Sequence, residues 1–280
     1  MRKIITLALA LIFFISCEKT DEVSSDTQPP TNYLLRELLG EENYSDFDSS
    51  IDFTSTVNLS PYEPEIDYGY LNISGSFSEE DQVGGVLIND RILLSKSDNY
   101  YKTYNKEEVE QLTIDKNELF GNNINLKAIE TSEASPYYNL DIEAELTSRI
   151  TRFEVEGLEV SASNAGIVGA PRTVIRSYSD LKLSWDSSGN PNEDMFLIIY
   201  EIKDVGNGNR PKQLLKRFKN KDKQITVKAS ELNRTFLDDS DLSFKLVKGR
   251  QVVRVMSNSG KVLSVNSLEI INYSGVRFIK

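Results

Sequence analysis

Apolar and polar residues alternate with a period of two along much of this chain from residue 51 onward. Successive side chains of a β-strand point to opposite faces, so this alternation is typical of half-buried strands. No long stretch carries apolar residues at the 3.6-residue spacing of an amphipathic helix. One helical turn is predicted at residues 116–120. The clearest alternating stretches are residues 51–57, 68–77, 138–146, 152–158 and 180–185.

Turn signals separate the predicted strands of the first half. Asn89 and Asp90 stand between apolar residues 83–88 and 91–94, and such a dipeptide favours a tight hairpin turn. Seven or eight short strands within about a hundred residues are typical of a β-sandwich. Residues 51–148 are therefore predicted to form a first β-sandwich domain.

The second half, residues 149–280, repeats this style. A strand ending in Trp185 is followed by a loop with Gly and Pro and then by an apolar strand that contains Tyr200. This order resembles the opening of fibronectin type III and immunoglobulin-like modules. The resemblance implies a second β-sandwich, with Trp185 in its core. Six further strands are predicted at residues 212–218, 224–228, 242–247, 251–256, 262–271 and 276–279.

The first seventeen residues differ from the rest of the chain. Arg2 and Lys3 precede an apolar run at residues 4–15, and Cys17 closes the segment. As a helix this run would span about 18 Å, whereas the hydrocarbon core of a bilayer is roughly 30 Å thick. A positively charged start followed by a short apolar run is typical of a secretory signal peptide.

The sequence Phe14-Ile15-Ser16-Cys17 resembles the lipobox of bacterial lipoproteins, although Phe14 stands where that family usually carries Leu. Cys17 is the only cysteine of the chain, which also excludes an intramolecular disulfide. The resemblance implies that residues 1–16 are removed as a signal peptide and that Cys17 carries a lipid anchor. An ordinary signal peptide with an incidental cysteine remains the alternative.

The residues after Cys17 indicate a location. Lys19, Asp21 and Glu22 match the acidic export signal of lipoproteins that are displayed on the outer face of the bacterial outer membrane, and Thr20 departs from it. The resemblance implies a surface-exposed, lipid-anchored outer-membrane protein. The alternative is a solvated acidic tether without an export role.

Residues 17–50 are predicted to form a lipidated, flexible tether, because their first half is polar and rich in Ser and Pro. Residues 33–39 carry four leucines between Asn32, which can cap a helix, and Gly40, which can end one. A two-turn helix is predicted there, with leucines that would dock on the first domain.

Composition excludes several function classes. With a net charge of −11, the chain is not expected to have the basic face that nucleic-acid binding requires, so no nucleic-acid partner is expected. Membrane contact is expected only through the lipid. The chain has no histidine, which removes the usual general base and the commonest zinc ligand. No phosphate-binding or dinucleotide-binding motif is present. No cofactor and no enzymatic activity are expected, and a glycoside hydrolase built on two carboxylates stays as a minor alternative.

Two sets of side chains are candidates for binding. Tyrosine rings can stack on sugars or anchor protein interfaces, and the first half is dense in them: Tyr68, Tyr70, Tyr100, Tyr101, Tyr137 and Tyr138, with Tyr62 nearby. Asp238, Asp239 and Asp241 form a weak calcium candidate, and a solvated turn is the simpler interpretation.

Together these patterns predict a cell-surface lipoprotein that acts without catalysis as a binding or adhesion module for an extracellular glycan or protein. The alternative is a structural or accessory subunit of an outer-membrane assembly. An exposed row of tyrosine rings would favour the first function. A long unpaired edge strand or an exposed apolar patch would favour the second.

Overall fold

The computed structural model describes residues 47–60, 69–77, 81, 83–97, 100–104, 116–161, 172–202, 212–257 and 259–280. These residues form mainly β-strands, with two short α-helices. The prediction of an all-β protein is therefore confirmed.

The first half of the chain contributes seven strands and one helix to the described structure. Their bounds are β1 Ser49–Leu59, β2 Gly69–Ser76, β3 Gly85–Ile88, β4 Ile92–Ser97, β5 Tyr100–Tyr104, α1 Lys116–Leu119, β6 Asn123–Ile129 and β7 Asp141–Glu145.

The second half contributes nine strands, one α-helix and one 3-10 helix, Asn220–Asp222, to the described structure. Their bounds are β8 Ile150–Glu156, β9 Glu159–Ser161, β10 Arg172–Arg176, β11 Leu181–Ser187, β12 Asp194–Glu201, β13 Gln213–Lys219, β14 Gln224–Val227, α2 Ala229–Thr235, β15 Ser240–Val255 and β16 Val262–Ile279.

Thirteen of these strands form one sheet that runs through both halves. Its order is β13-β12-β15-β16-β1-β2-β5-β4-β3-β6-β7, and β10 and β9 extend from β16. The first strand, β1, pairs in parallel with the last, β16, over eleven residues. Strand β15 pairs with the other side of β16 in an antiparallel hairpin. These three strands form the spine of the molecule.

The other three strands form a small sheet of order β14-β11-β8. Leu181, Leu183 and Trp185 of β11 lie between this sheet and the main sheet, as their alternation predicts. We call this cluster the C-terminal core. Trp185 is buried and its ring packs on Phe218 of β13 at 4.9 Å between centroids. The predicted core position of Trp185 is confirmed.

A second cluster, the N-terminal core, is formed mainly by side chains from the first half of the chain, with contributions from β16. Leu263 and Val265 of β16 belong to this cluster, whereas Val57 and Leu59 of β1 belong to the C-terminal core. The finer prediction of two tandem immunoglobulin-like domains is not confirmed, because the spine strands supply side chains to both cores. A division near residue 148 stays a prediction.

The main sheet has an inner face, which carries both cores, and an outer face. In the described part of the chain, the small sheet and both helices contribute side chains to the cores of the inner face. Phe196, Val247 and Leu268 alternate with core residues and form a separate buried cluster on the outer face.

Local sequence signals account for several elements. Asn89 and Asp90 both adopt the left-handed conformation, with φ of 51° and 56°, so the predicted hairpin turn is confirmed. The helical turn predicted at residues 116–120 is α1. The sequence also predicts a strand at residues 110–114, which lie outside the described residues.

Helix α2 was not predicted, because seven residues are too few to establish a helical period. Two acidic side chains stabilise its first turn: Asp180, which is distant in the sequence, and Glu231, which lies three residues after Lys228. The backbone N–H of Ala229 donates to Asp180 at 2.8 Å, and that of Lys228 donates to Glu231 at 2.9 Å. Such contacts satisfy amide groups that a helix start leaves without partners.

We expect the two cores to unfold together because they share the spine strands. Leu126→Ala removes a fully buried side chain of the N-terminal core and should cost about 2–5 kcal/mol of unfolding free energy. The fluorescence of Trp185, the only tryptophan, reports on the other core, and its urea midpoint should fall. The matched control is Leu87→Ala, at a half-buried position of β3. If Leu126→Ala left the urea midpoint of the Trp185 fluorescence unchanged, the two cores would unfold independently.

Candidate functional site

The strongest concentration of buried ionisable groups lies where the two cores meet on the inner face. Ser55 of β1 pairs in register with Glu269 of β16, and Glu269 pairs with Lys248 of β15. All three side chains are fully buried. Each interrupts the apolar alternation of its own strand at the same level of the sheet. We call this group, with the side chains that contact it, the polar junction.

Lys248 is the centre of the polar junction. Its Nζ donates hydrogen bonds to Ser148 Oγ, to Ser187 Oγ at 2.7 Å and to the carbonyl oxygen of Ser188 at 2.9 Å. A carboxylate oxygen of Glu193 lies 3.2 Å away. An ammonium group has three protons, so these acceptors satisfy it completely.

The carboxylates of the polar junction have partners from other segments. Glu193 accepts a hydrogen bond from Thr147 Oγ1 at 2.8 Å. Glu269 lies 3.6 Å from Arg149 Nε. Thr147 and Arg149 belong to the connection between β7 and β8, so the polar junction holds this connection against the spine.

Burial dominates the electrostatics of the pair. Removal from water lowers the pKa of Lys248, and the charge of Glu193 opposes this change. Removal from water likewise raises the pKa of Glu193, against the effect of Lys248. Desolvation penalises the charged form of each group, so each partner makes burial of the other possible.

The loop after β11 closes over the polar junction. Gly189 adopts a φ of +87°, and a Cβ there would lie 2.5 Å from Ser148 Oγ. Asn220 donates to the carbonyl oxygens of Ser188 at 3.1 Å and Asn190 at 3.2 Å, which fixes the loop from the other side. Any other residue at position 189 would push the loop away from Ser148.

A serine beside a lysine of lowered pKa has the composition of a nucleophile and its base. The hydrogen bonds here run differently. Ser148 Oγ accepts from Lys248 and donates to the carbonyl oxygen of Ser188, so its proton is not directed at the amine. Ser148 is also buried beneath the loop. The geometry therefore supports a cohesive role that joins the loop, the connection and the spine.

The structure does not gather the predicted tyrosines into one described surface. Tyr137 is fully buried, its ring packs edge-on against Phe77 at 5.2 Å, and its hydroxyl donates to Ser49 at 2.8 Å. Burial raises the pKa of Tyr137. Its assignment as a stacking residue is wrong, because no face of the ring reaches solvent. Tyr138, next in sequence, is 41% exposed.

The other predicted tyrosines are placed only by the backbone or not at all. Tyr70 lies in β2 opposite Thr56, and Tyr101 of β5 lies opposite Gly75 of the same strand β2. Five residues of β2 separate these levels, which corresponds to about 17 Å. Tyr100 begins β5, and Tyr62 and Tyr68 lie outside the described residues.

The aspartates of the calcium candidate are engaged by the end of the chain. Asp238 accepts a hydrogen bond from the backbone N–H of Lys280 at 2.7 Å, and Asp239 forms an ion pair with Arg277. Asp241 lies 4.0 Å from Arg277. Within the described ranges, no three acidic, cysteine or histidine side chains are grouped so as to hold a metal ion.

One end of the molecule exposes large apolar side chains that the sequence did not single out. Tyr178 is 75% exposed, Leu237 is 53% exposed and Ile202 is 51% exposed. We call these three residues the C-terminal pole. Hydrogen bonds place all three near the same end of the spine, because Ser177 donates to Ile279, Ile202 donates to Asp241, and Asp238, next to Leu237, accepts from Lys280. Tyr178 lies in a turn and Leu237 and Ile202 lie in irregular segments, where no strand alternation predicts which side chain faces solvent.

Comparisons with known proteins identify no relative. No model of a protein family matches the chain, and searches of curated proteins and of solved structures find no similar protein. In the part of the chain that the structure describes, no helix has the length and apolar character needed to cross a bilayer.

Removal of Lys248 should be far more destabilising than removal of a neighbouring lysine. Lys248→Met leaves buried carboxylates without their cation, and breaking a buried pair in this way costs about 3–5 kcal/mol. Lys245→Met, on the outer face of the same strand and half-buried, should change stability by less than about 0.5 kcal/mol. Urea unfolding followed by Trp185 fluorescence measures both.

The double variant Lys248→Met/Glu193→Gln tests whether the two residues act as a pair. Its loss of stability should be smaller than the sum of the two single losses, because the second change removes the carboxylate that the first one leaves without its cation. Additive losses would contradict a coupled pair.

Proposed function

We propose that this chain is a lipid-anchored protein of the bacterial outer membrane that binds an extracellular glycan or protein through the C-terminal pole. The observation that carries the proposal is the exposure of Tyr178, Leu237 and Ile202 near the end of the spine opposite the start of β1. Exposed aromatic and aliphatic side chains are the usual anchors of binding surfaces.

The position of the C-terminal pole follows from the direction of the spine. Strand β1 begins at Ser49, opposite Leu263 near the start of β16. Strand β16 then extends for 18 residues and ends at Ile279, beside the pole. Eighteen extended residues span roughly 56 Å. A tether that enters at Ser49 would therefore hold the pole away from the membrane.

The anchor itself is proposed from the sequence. Arg2 and Lys3, the apolar run 4–15 and the sole cysteine at position 17 match a lipoprotein signal. Twenty-nine residues lie between Cys17 and Phe47, where the described body begins. The net charge of −11 opposes adsorption of the body to anionic lipid, which is consistent with attachment through the lipid alone.

Lipid attachment should depend on a cysteine at position 17. Cells that express the full chain are labelled with a palmitate analogue, and the wild type should carry the label whereas Cys17→Ser should not. In the control Cys17→Ser/Ser25→Cys, the chain again has one cysteine but not next to the apolar run, so labelling should stay absent. Label on the control, or none on the wild type, would contradict the anchor. Protease treatment of intact cells then tests surface exposure.

Ligand binding should depend on the C-terminal pole. The full chain is applied to glycan and protein arrays, and affinity is measured for each ligand found. Tyr178→Ala and Leu237→Ala should each weaken binding about tenfold, as expected for the loss of roughly 1.4 kcal/mol from an interface anchor. Val255→Ala is the matched control, because Val255 is 56% exposed but pairs with Val262 at the opposite end of the spine.

Two other outcomes assign the surface differently. Loss of affinity with Tyr100→Ala or Tyr101→Ala and not with the pole variants would move the site to the first half, as the tyrosine pattern predicts. Equal effects of Val255→Ala and Tyr178→Ala would contradict a localised site at the pole.

A further inference from the structure

The polar junction brings an amine and a carboxyl group together away from water. Lys248 Nζ lies 3.2 Å from a carboxylate oxygen of Glu193, and the two side chains are 0% and 6% exposed. The register of the sheet accounts for this contact. Met195 of β12 pairs with Lys248 of β15, and Glu193 lies two residues before Met195. It therefore occupies the diagonal position on the same face, which long side chains can reach.

We propose that Lys248 and Glu193 condense to an amide, so that a covalent bond between side chains joins β15 to the segment that precedes β12. The reactants are the neutral amine and the neutral carboxylic acid. The lone pair of Nζ forms a bond to the carboxyl carbon, and one carbon–oxygen bond of that group breaks. The oxygen leaves as water, with the acid's own proton and one proton from Nζ. No oxidant, cofactor or further reactant is consumed.

Burial supplies the two neutral forms. Removal from water lowers the pKa of Lys248, and the nearby ammonium of Lys223 acts in the same direction. Removal from water also raises the pKa of Glu193. Each partner's charge opposes these shifts, but transfer of one proton from Nζ to the carboxylate removes both charges at once. The neutral pair avoids the cost of holding two ions in apolar surroundings.

Both side chains are held in position before the reaction. Lys248 Nζ is fixed by two serine hydroxyls and one carbonyl oxygen. The other carboxylate oxygen of Glu193 accepts a hydrogen bond from Thr147 Oγ1 at 2.8 Å. This donor stabilises the negative charge that develops on the oxygen when Nζ attacks. Groups oriented in this way react with effective molarities of about 10⁵–10⁸ M, so a condensation that is very slow between free molecules becomes accessible within the fold.

The surroundings also favour the product. The loop after β11 closes over the polar junction, with Gly189 against Ser148 and Asn220 bound to the loop carbonyls. A site from which water is excluded slows hydrolysis of the amide. Glu193 is the more exposed partner of the pair, so the water that forms at its carboxyl group is released on the side nearer to solvent.

The amide leaves no buried ion without a counterion in this pair. Condensation removes one positive and one negative charge together. Arg149 and Glu269, which lie 3.6 Å apart, remain as an ion pair of opposite charges beside the new bond. Loss of either Lys248 or Glu193 alone has the opposite effect, because it strands a charge in the interior.

Such a bond would constrain a chain that has no other internal crosslink available. Cys17 is the only cysteine, which excludes an intramolecular disulfide. An amide between residues 193 and 248 closes a loop in the unfolded chain and restricts it as a disulfide does, without any thiol. The inference rests on the polar junction and does not depend on the proposed function.

The bond is tested by tryptic digestion of the full chain and mass spectrometry, on fresh protein and after overnight incubation. We expect a branched peptide of residues 183–203 and 246–250, uncleaved at Lys248, with a mass lower by one water molecule than the sum of both peptides. Lys248→Arg keeps the cation and should abolish the branch. The matched control Lys223→Arg should retain it. Separate peptides in both wild-type digests would overturn the proposal.

Two further readouts test the assignment and the mechanism. In denaturing electrophoresis, the wild type should migrate faster than Lys248→Arg, because a closed loop makes the denatured chain more compact. Thr147→Val should slow the appearance of the branched peptide several-fold, and an unchanged rate would overturn the role given to this hydroxyl. A branch from Lys248 to residues 262–277, which contain Glu269, would overturn the assignment to Glu193.

Discussion

A lysine that is fully removed from water sets the conditions under which this structure holds together. Lys248 lies in the middle of a long strand, and an ammonium group there is tolerated only if several acceptors reach it at once. Those acceptors come from separate parts of the chain: Ser148 from the connection of the two halves, Ser187 at the end of β11, and Glu193 just before β12. The geometry of all three segments is therefore tied to one side chain.

The same residue explains where sequence reasoning succeeded and where it stopped. Alternation identified most strands, including those around Phe53 and Trp185, because one face of each is buried. It predicted two strands within β15 and two within β16, where the structure has one continuous strand each. Lys248 and Arg250 look like a break in an apolar pattern, and only the neighbouring carboxylates make a buried lysine acceptable in a strand interior.

The pairing of strands that are distant in the sequence could not be predicted either. Alternation shows which face of a strand is buried but not which strand lies beside it. The union of β1 with β16 joins residues 214 positions apart, such as Asp52 and Asn266, and no local signal specifies it. For this reason the chain reads as two successive sandwiches, whereas the described structure shares its central strands between two cores.

The same distinction between local sequence signals and long-range structure applies to the candidate sites. A lipid attachment site depends on a short contiguous sequence around Cys17, so it can be proposed without a fold. A binding surface depends on exposure, which the sequence does not give for residues outside the strands, such as Tyr178 and Leu237. Tyr137 shows the opposite error, since a residue type suited to binding occupies the core. Composition indicates what a side chain is able to do, and only the fold decides whether it is accessible.

The parallel pairing of the first and last strands also determines when the protein can finish folding. Ser49 leaves the ribosome 214 residues before its partner Leu263, a delay of about 10–40 s at ordinary rates of synthesis. Until then β1 lacks one neighbour, and both cores lack the side chains that the C-terminal hairpin supplies. The main sheet and both cores therefore stay incomplete until translation is nearly finished.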